Sequence, residues 1–115
     1  IAIDMLVADT FARRGRGLMF RTTLPPSTGM IFAFPVRTTS PFWMKDTPLD
    51  LDVAFLAVDG TIQEILALDA LSVELVEPEL PYYFAVELPR GWFARHETHA
   101  SGRFLVPPSV QGFAE

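Results

Sequence analysis

Two short runs of the sequence combine charged groups with large apolar side chains. The first is Arg16-Gly17-Leu18-Met19-Phe20-Arg21, in which two guanidinium groups flank a glycine and three apolar residues. This spacing allows the apolar trio to anchor in a core while Arg16 and Arg21 reach an anionic ligand, since guanidinium groups bind carboxylates and phosphates through paired donors. The alternative is that both arginines pair with carboxylates of the same chain and only stabilise the fold.

The second run is Phe42-Trp43-Met44-Lys45-Asp46-Thr47. Trp43 offers a flat apolar surface, and Lys45, the only lysine of the chain, offers a mobile cation. The triplet Asp46-Thr47-Pro48 is typical of a turn, in which Asp46 can accept a hydrogen bond from its own downstream backbone. This run is therefore either part of a ligand site or a strand that ends in such a turn.

Three carboxylates fall close together, at Asp46, Asp50 and Asp52. Neighbouring carboxylates can raise one another's pKa for acid–base chemistry, or they can coordinate a hard cation. An EF-hand loop also needs a glycine at its sharp turn and a glutamate at its last position, and neither is present. If Leu49 and Leu51 point inward on a strand, Asp50 and Asp52 share the opposite face. That arrangement predicts a carboxylate pair or a socket for one arginine.

Other reactive arrangements find little support. His96 and His99 are separated by three positions, whereas zinc-binding helices place their histidines at i and i+4. The chain has no cysteine, no Gly-x-Ser-x-Gly nucleophile motif and no glycine-rich phosphate loop. We therefore predict no metal site and no cofactor.

A strand and a short helix lead into the first run. Residues 1 to 8 alternate between two faces with the period of a β-strand. Asp9 or Thr10 can cap a helix over Phe11 to Arg16, and Gly17 suits its exit. The first run therefore begins at the end of that helix.

The remaining elements are short and separated by turn residues. Met30 to Phe34 is predicted as a strand that Pro35 ends. Val53 to Val58 and Thr61 to Leu68 are predicted as a hairpin with a two-residue type I′ turn at Asp59-Gly60, the first arm being central because it is apolar on both faces. Further predictions are half-buried strands over Leu71 to Leu75 and Tyr82 to Leu88, a helical turn or two over Trp92 to His96, and a last strand over Arg103 to Val106.

Six or more short strands with only brief helical turns indicate a mainly β fold of the α+β type. We predict a single domain over residues 1–115, because hydrophobic runs flank every proline-rich loop and leave no domain boundary. Its antiparallel or mixed sheet is expected to curl into a barrel- or sandwich-like core with one or two short helices.

Composition limits the partners of this domain. The net charge of −5 opposes general binding to nucleic acid, because such binding depends on an excess of Lys and Arg. Four arginines nevertheless form one local cluster of positive charge: Arg13, Arg14, Arg16 and Arg21. No apolar run approaches the roughly 18 residues of a membrane span. The sequence begins at Ile1 rather than Met, so earlier removal of a leader is compatible with it. No oligomeric state is predicted.

The chain resembles the DUF192 family, also called UPF0127, in the order and spacing of several segments. They are Ala8-Asp9-Thr10, the two charged runs, Leu24-Pro25, Gly29 to Phe32, Phe34-Pro35, Leu51 to Phe55, Asp59-Gly60 and Val86 to Trp92. The resemblance covers most of the chain. It implies a small β-rich domain of bacteria and archaea, frequently found behind a signal peptide or lipid anchor, with no assigned biochemical function. A periplasmic or secreted location is therefore expected.

The sequence departs from the family pattern at three places. Asp46 stands where the family usually has Asn, and Asp50 stands where it usually has Pro. The stretch from Arg95 to Arg103 lacks the Gly-Asp turn that is common there. A carboxylate lacks the two N–H donors of an amide, so Asp46 would change any ligand contact that the family makes through Asn at that position.

The leading functional hypothesis is a non-catalytic binding or accessory module of the bacterial cell envelope that recognises a small anionic or sugar-like ligand. Its candidate ligand-binding residues are Arg16, Arg21, Trp43, Lys45, Asp46 and Asp52. A second hypothesis is a hydrolase or lyase in which Lys45 works with Asp46 or Asp52 as acid and base. The third is that both runs only hold the fold, with Arg16 or Arg21 buried against Asp52.

Overall fold

The structure, a computed structural model, describes residues 3–106. Its elements in chain order are β1 (Asp4–Ala8), α1 (Phe11–Arg16), β2 (Thr28–Thr38), β3 (Leu51–Leu56), β4 (Ile62–Leu68), β5 (Tyr82–Pro89) and α2 (Trp92–Arg95). The five strands form one sheet in the order β1-β2-β5-β3-β4. β1 pairs with β2 in parallel, and the other neighbouring pairs are antiparallel.

The predicted fold class is confirmed: the described chain is mainly β, with a mixed sheet and two short helices. β1 and β4 are edge strands, so the sheet is not closed into a barrel. Apolar side chains cover both of its faces, which gives a layered, sandwich-like core. Residues 3–106 form five strands, rather than the six or more expected, because two of the predicted strands do not form there.

Alternation along the strands sends side chains into two cores on opposite faces of the sheet. The first core includes Met30, Phe32, Val53, Phe55 and Ala85. The second core includes Ile31, Ala33, Ala54, Val86 and Leu88. The predicted central position of β3 is confirmed, since its side chains enter both cores. The prediction that β5 is half-buried was wrong, because β5 lies between β2 and β3 and is covered on both faces.

The helix prediction at the start of the chain is confirmed. The Thr10 side chain accepts a hydrogen bond from the Arg13 N–H at 3.1 Å, and Gly17 is the C-cap of α1. β1 begins at Asp4, and the predicted strand positions Ile1 and Ala2 lie outside the described residues.

Pro35 does not end β2, contrary to prediction. The register between β2 and β5 shifts between Ala33 and Thr38, so Pro35 lies in an unpaired stretch of the strand. A missing N–H is tolerated at such a position because no ladder hydrogen bond depends on it. β2 therefore continues to Thr38, and residues 39–41 connect it to the second charged run.

The β3–β4 hairpin is confirmed, but its turn is not of type I′. The Gly60 N–H donates to the Ala57 carbonyl, and the Ala57 N–H donates to the Thr61 carbonyl, both at 2.9 Å. Gly60 has a φ of 87°, whereas Asp59 does not have a positive φ, although a type I′ turn needs two such residues. The connection is therefore a three-residue loop that ends in a left-handed glycine.

Two other strand predictions were wrong. Leu71 has a φ of 63°, which interrupts an extended conformation, and of the following segment only Val76 forms a β-bridge, with Phe42. Leu71 to Leu75 is therefore a loop along the second charged run, despite its alternating sequence. Near the C-terminal end of the described chain, Arg103 forms one isolated bridge with Thr61 instead of a strand over Arg103 to Val106.

Candidate functional site

A cleft of about 380 Å³ opens on the first-core face of the sheet. Strand residues form its floor, and α1 with its following turn and the segment 38–47 form its walls. Its aromatic lining consists of Phe11, Phe32, Phe34, Phe42 and Trp43, and its charged and hydroxyl-bearing side chains are Arg14, Arg16, Thr38, Ser40, Thr47 and Glu87. Its lining is about equally polar and apolar, and a concave site that combines aromatic rings with converging polar groups suits a small ligand that carries both kinds of surface.

The two charged runs of the sequence meet at this cleft. Leu18 from the first run and Met44 from the second are both buried in the first core. The Phe20 N–H donates to the Asp46 carbonyl at 2.6 Å, which joins the two walls directly. Of the apolar trio in the first run, Leu18 is the buried anchor, whereas Phe20 is 66% exposed. The structure thus places the two runs side by side.

Asp46 acts through its backbone in a tight turn. The Thr47 N–H donates to the Met44 carbonyl at 3.1 Å, and Asp46 has a φ of 57°. Asp and Asn tolerate this left-handed conformation better than most other residues. The turn is therefore closed by a backbone hydrogen bond and not by the Asp46 side chain, and either Asp or Asn suits its geometry.

A buried tyrosine holds the start of the wall formed by segment 38–47. The Tyr82 hydroxyl donates to the Ser40 carbonyl at 2.6 Å. The Tyr82 ring packs edge-on against Phe55 and Phe34, with centroid distances of 4.8 and 5.4 Å. Burial raises the pKa of Tyr82, so the hydroxyl keeps its proton across the physiological range. The segment 38–47 is thereby attached to the central strand β5.

Arg14 and Arg16 bring positive charge to the cleft. The Arg14 Nη1 donates to the Ala33 carbonyl at 3.0 Å, and its guanidinium lies 5.0 Å from the centroid of the Phe34 ring. The Arg16 guanidinium lies 5.9 Å from the centroid of the Phe20 ring. Within residues 3–106 neither arginine forms an ion pair. Their charge is therefore free to attract an anionic group of a ligand.

Glu87 places a carboxyl group inside the sheet and lines the same cleft. It is 4% exposed and lies opposite Met30 of β2 and Val53 of β3. Burial raises the pKa of the Glu87 carboxyl from 4.5 to about 8, and no ion pair with a residue of the described chain offsets that effect. Glu87 is therefore mostly protonated at neutral pH, and a protonated carboxyl can both donate and accept a hydrogen bond.

Sequence reasoning missed Glu87 as a site residue. The alternation in Tyr82 to Leu88 assigned Glu87 to a polar outer face, but β5 has no outer face. Thr47 and Glu87 are the two buried polar or charged residues in the described chain, and both line the cleft. The available signal was the nearly continuous apolar character of Tyr82 to Leu88, which is typical of a strand buried on both sides and is interrupted by one carboxyl group.

Of the other candidate residues, Trp43 lines the cleft and is 43% exposed. The Lys45 Nζ lies 5.4 Å from the centroid of the Trp43 ring, which places its charge beside that wall. Arg21 lines a second depression of about 220 Å³ that shares Arg16, Gly17 and Met19 with the cleft. Trp43, Lys45, Arg16 and Arg21 are thus grouped around one side of the molecule.

Asp52 lies on the opposite face of β3 and is not part of this group. Its Oδ1 pairs with the Arg90 Nε at 3.0 Å, and its Oδ2 accepts from the Gly91 N–H at 2.9 Å. The Arg90 Nη2 also donates to the Leu68 carbonyl at 2.9 Å. The arginine that pairs with Asp52 is therefore Arg90, and the third hypothesis was wrong in placing Arg16 or Arg21 against it.

Asp50 also has a structural contact, because its Oδ1 accepts from the Ala70 N–H at 2.9 Å. The two histidines are placed differently: the His96 ring stacks on Trp92 with a centroid distance of 4.0 Å, and His99 is exposed. In the part of the chain that the structure describes, no group of three or more His, Cys, Asp or Glu side chains could hold a metal ion.

Comparison with known proteins places the chain in a family. The sequence profile of the DUF192 family, described as "Uncharacterized ACR", matches residues 1–104. The chain therefore belongs to the DUF192 family, which confirms the resemblance seen in its motifs. No curated protein is similar enough to the chain to count as a match.

Two crystal structures share this fold. A protein of Sinorhizobium meliloti 1021, described as a proposed transcription regulator, is 32% identical with a TM-score of 0.83, over 86% of this chain and 78% of that chain. A protein of unknown function from Novosphingobium aromaticivorans DSM 12444 is 28% identical with a TM-score of 0.82, over 88% of this chain and 73% of that chain. Among residues 3–106 of the present chain, no helix is long and apolar enough to cross a membrane.

Proposed function

We propose that this protein is a non-catalytic binding domain whose cleft takes a small anionic ligand with a flat, largely apolar body. The observation that carries the proposal is the pair of arginines, Arg14 and Arg16, which have no acidic partner in the described chain and line the same cleft as five aromatic residues. Guanidinium groups supply orientation and charge, while aromatic rings supply contact area at a low cost in side-chain entropy.

Binding accounts for the geometry better than hydrolysis or lyase chemistry. Lys45, Asp46 and Asp52, the proposed acid and base groups, do not converge: Asp46 serves a turn and Asp52 lies on the other face of the sheet. The titratable side chains that line the cleft are Arg14, Arg16 and Glu87, which provide one acid but no second group to act as its base.

The proposed setting of this function is the cell envelope, a proposal that rests on the family resemblance alone. The description of the Sinorhizobium meliloti relative is not transferred to this chain, because the net charge of −5 opposes contact with a phosphate backbone.

Benzoate is a suitable probe of the proposed cleft, because it combines one carboxylate with one aromatic ring. At a concentration about tenfold above its dissociation constant it should raise the thermal midpoint by roughly 5 °C, since a ligand that binds only the native state stabilises it. The double variant Arg14→Gln and Arg16→Gln should abolish that rise.

Arg95→Gln is the matched control, because Arg95 is an exposed arginine on α2, whose aromatic residues belong to the second core. This variant should respond to benzoate as the wild type does. If benzoate and related aromatic anions stabilise the double variant as much as the wild type, the assignment of the ligand site to this cleft is refuted.

A further inference from the structure

The polar groups of the cleft lie at two separate places. Arg14 and Arg16 belong to α1, which forms one wall, whereas Glu87 belongs to β5, the middle strand of the sheet. Within residues 3–106 neither guanidinium forms an ion pair with the Glu87 carboxyl, so these charged groups are not in contact with it. A ligand that uses all of these groups must therefore carry two separate polar ends.

The surroundings of Glu87 determine which chemical group it can bind. Across the sheet it lies opposite Met30 and Val53, and the segment 38–47 contributes Phe42, Met44 and Thr47 to the buried side of the cleft. None of these five side chains carries a charge. The charged groups that line the cleft besides Glu87 are those of Arg14 and Arg16. Within residues 3–106 neither arginine forms an ion pair with Glu87, so an ionised Glu87 would be an unpaired buried charge and the protonated form is favoured in such a place.

We infer, on the basis of the function proposed above, that Glu87 is a ligand-binding residue that holds an uncharged amide-like group through its protonated carboxyl. The ligand then has an anionic end at the arginines, an apolar middle against the aromatic rings, and an adjacent N–H and C=O at its buried end. A protonated carboxyl matches that end because its O–H donates to the ligand carbonyl while its own carbonyl oxygen accepts from the ligand N–H. The ligand class is therefore aromatic or heterocyclic acids that bear an amide, lactam or imide.

Titration calorimetry of the wild-type protein with three para-substituted benzoates tests this inference. The carbamoyl compound carries the amide, the isopropyl compound has a similar shape without polar atoms, and the aminomethyl compound carries a cation. We expect the carbamoyl compound to bind at least about fivefold more tightly than the isopropyl compound at neutral pH, because one donor and one acceptor are satisfied. Glu87→Leu should remove that preference, and Glu87→Gln should keep it because the amide also offers a donor and an acceptor.

The dependence on pH supplies a second test that does not require Glu87→Leu to fold. Only the protonated form of Glu87 can donate to the probe, so wild-type affinity for the carbamoyl compound should fall roughly tenfold from about pH 6.5 to about pH 9. Glu87→Gln should show no such fall, since neither the variant side chain nor the probe titrates in that range.

Each contrary result has a distinct meaning. Equal binding of the carbamoyl and isopropyl compounds by the wild type would overturn the role of Glu87 and leave the anion-binding function intact. Tightest binding of the aminomethyl compound would also overturn it, because Glu87 would then bind its ligand as a carboxylate. If none of the three benzoates binds, the proposed function itself fails.

Discussion

Replacing Glu87 with glutamine should stabilise the protein progressively as the pH rises. The unfolded chain releases the Glu87 proton near the ordinary pKa of 4.5, whereas the folded protein keeps it up to about 8. Between those values the unfolded form binds fewer protons than the folded form, so the free energy of unfolding falls as the pH increases. Glutamine is neutral in both states and of nearly the same shape, and it removes this loss.

The magnitude follows from the same two pKa values. A difference between 4.5 and about 8 corresponds to an upper limit of roughly 5 kcal/mol, reached above the higher value. We therefore expect Glu87→Gln and the wild type to have similar stability near the lower pKa. The advantage of the variant should grow by up to about 1.4 kcal/mol for each further pH unit until it levels off near the higher one.

Urea unfolding followed by tryptophan fluorescence at a series of pH values measures this difference directly. Taking the difference between variant and wild type cancels the titration of the other carboxyl groups. Glu77→Gln is the matched control, because Glu77 is exposed and its replacement should give a curve parallel to the wild type. Parallel curves for Glu87→Gln and the wild type would refute the argument that burial keeps Glu87 protonated.

Three further pairs of substitutions, each a test with its control, probe the framework around the site by urea unfolding. Asp46→Asn should change the free energy of unfolding by less than about 0.5 kcal/mol. Asp46→Val should lower it by about 1–2 kcal/mol, because a branched side chain is strained at φ 57°. Equal effects of the two substitutions would contradict the backbone role of Asp46. Arg90→Ala should lower the free energy of unfolding by about 2 kcal/mol, because it breaks the hydrogen bonds to Leu51 and Leu68 and the ion pair with Asp52. Arg37 is exposed, and Arg37→Ala should have little effect. Gly29→Ala should cost more than about 2 kcal/mol, since its Cβ would lie 2.0 Å from the Glu87 carbonyl oxygen, whereas Gly15→Ala, with nothing within 4 Å, should not destabilise.

The sequence predicted those elements whose signals are local. The α1 helix has its own cap at Thr10 and its own exit at Gly17, and the β3–β4 hairpin has a glycine at the position that needs a left-handed conformation. Alternation alone was less informative, because Leu71 to Leu75 alternates as a strand does but lies beside the second charged run as a loop. An alternating pattern shows which side chains would share one face if the segment were a strand. Whether the strand forms and which of its faces is buried depends on the neighbouring strands.

Part of the site was also predictable from the sequence, because its signals are local. The two charged runs were recognisable because each concentrates unusual residue types within six positions, and the structure joins them through Phe20 and Asp46. The partner of Asp52 was not, because Arg90 is distant in sequence and approaches only when β3 and β5 pair. Glu87 was also missed, since its burial follows from the order of strands in the sheet, which local patterns do not encode.

The energetics of Glu87 connect its stability effect to its proposed function. The buried Glu87 carboxyl, which forms no ion pair within residues 3–106, lowers stability at neutral pH, and glutamine or an apolar residue in the same place would not carry that cost. Residues that oppose stability in this way are typical of functional sites, where the group serves a ligand and not the fold. Glu87 therefore differs from Asp52, whose carboxylate is satisfied by Arg90 and the Gly91 N–H and whose loss should destabilise. Two carboxyl groups on the central strands thus have opposite expected effects, and only the one that faces the cleft should govern ligand choice.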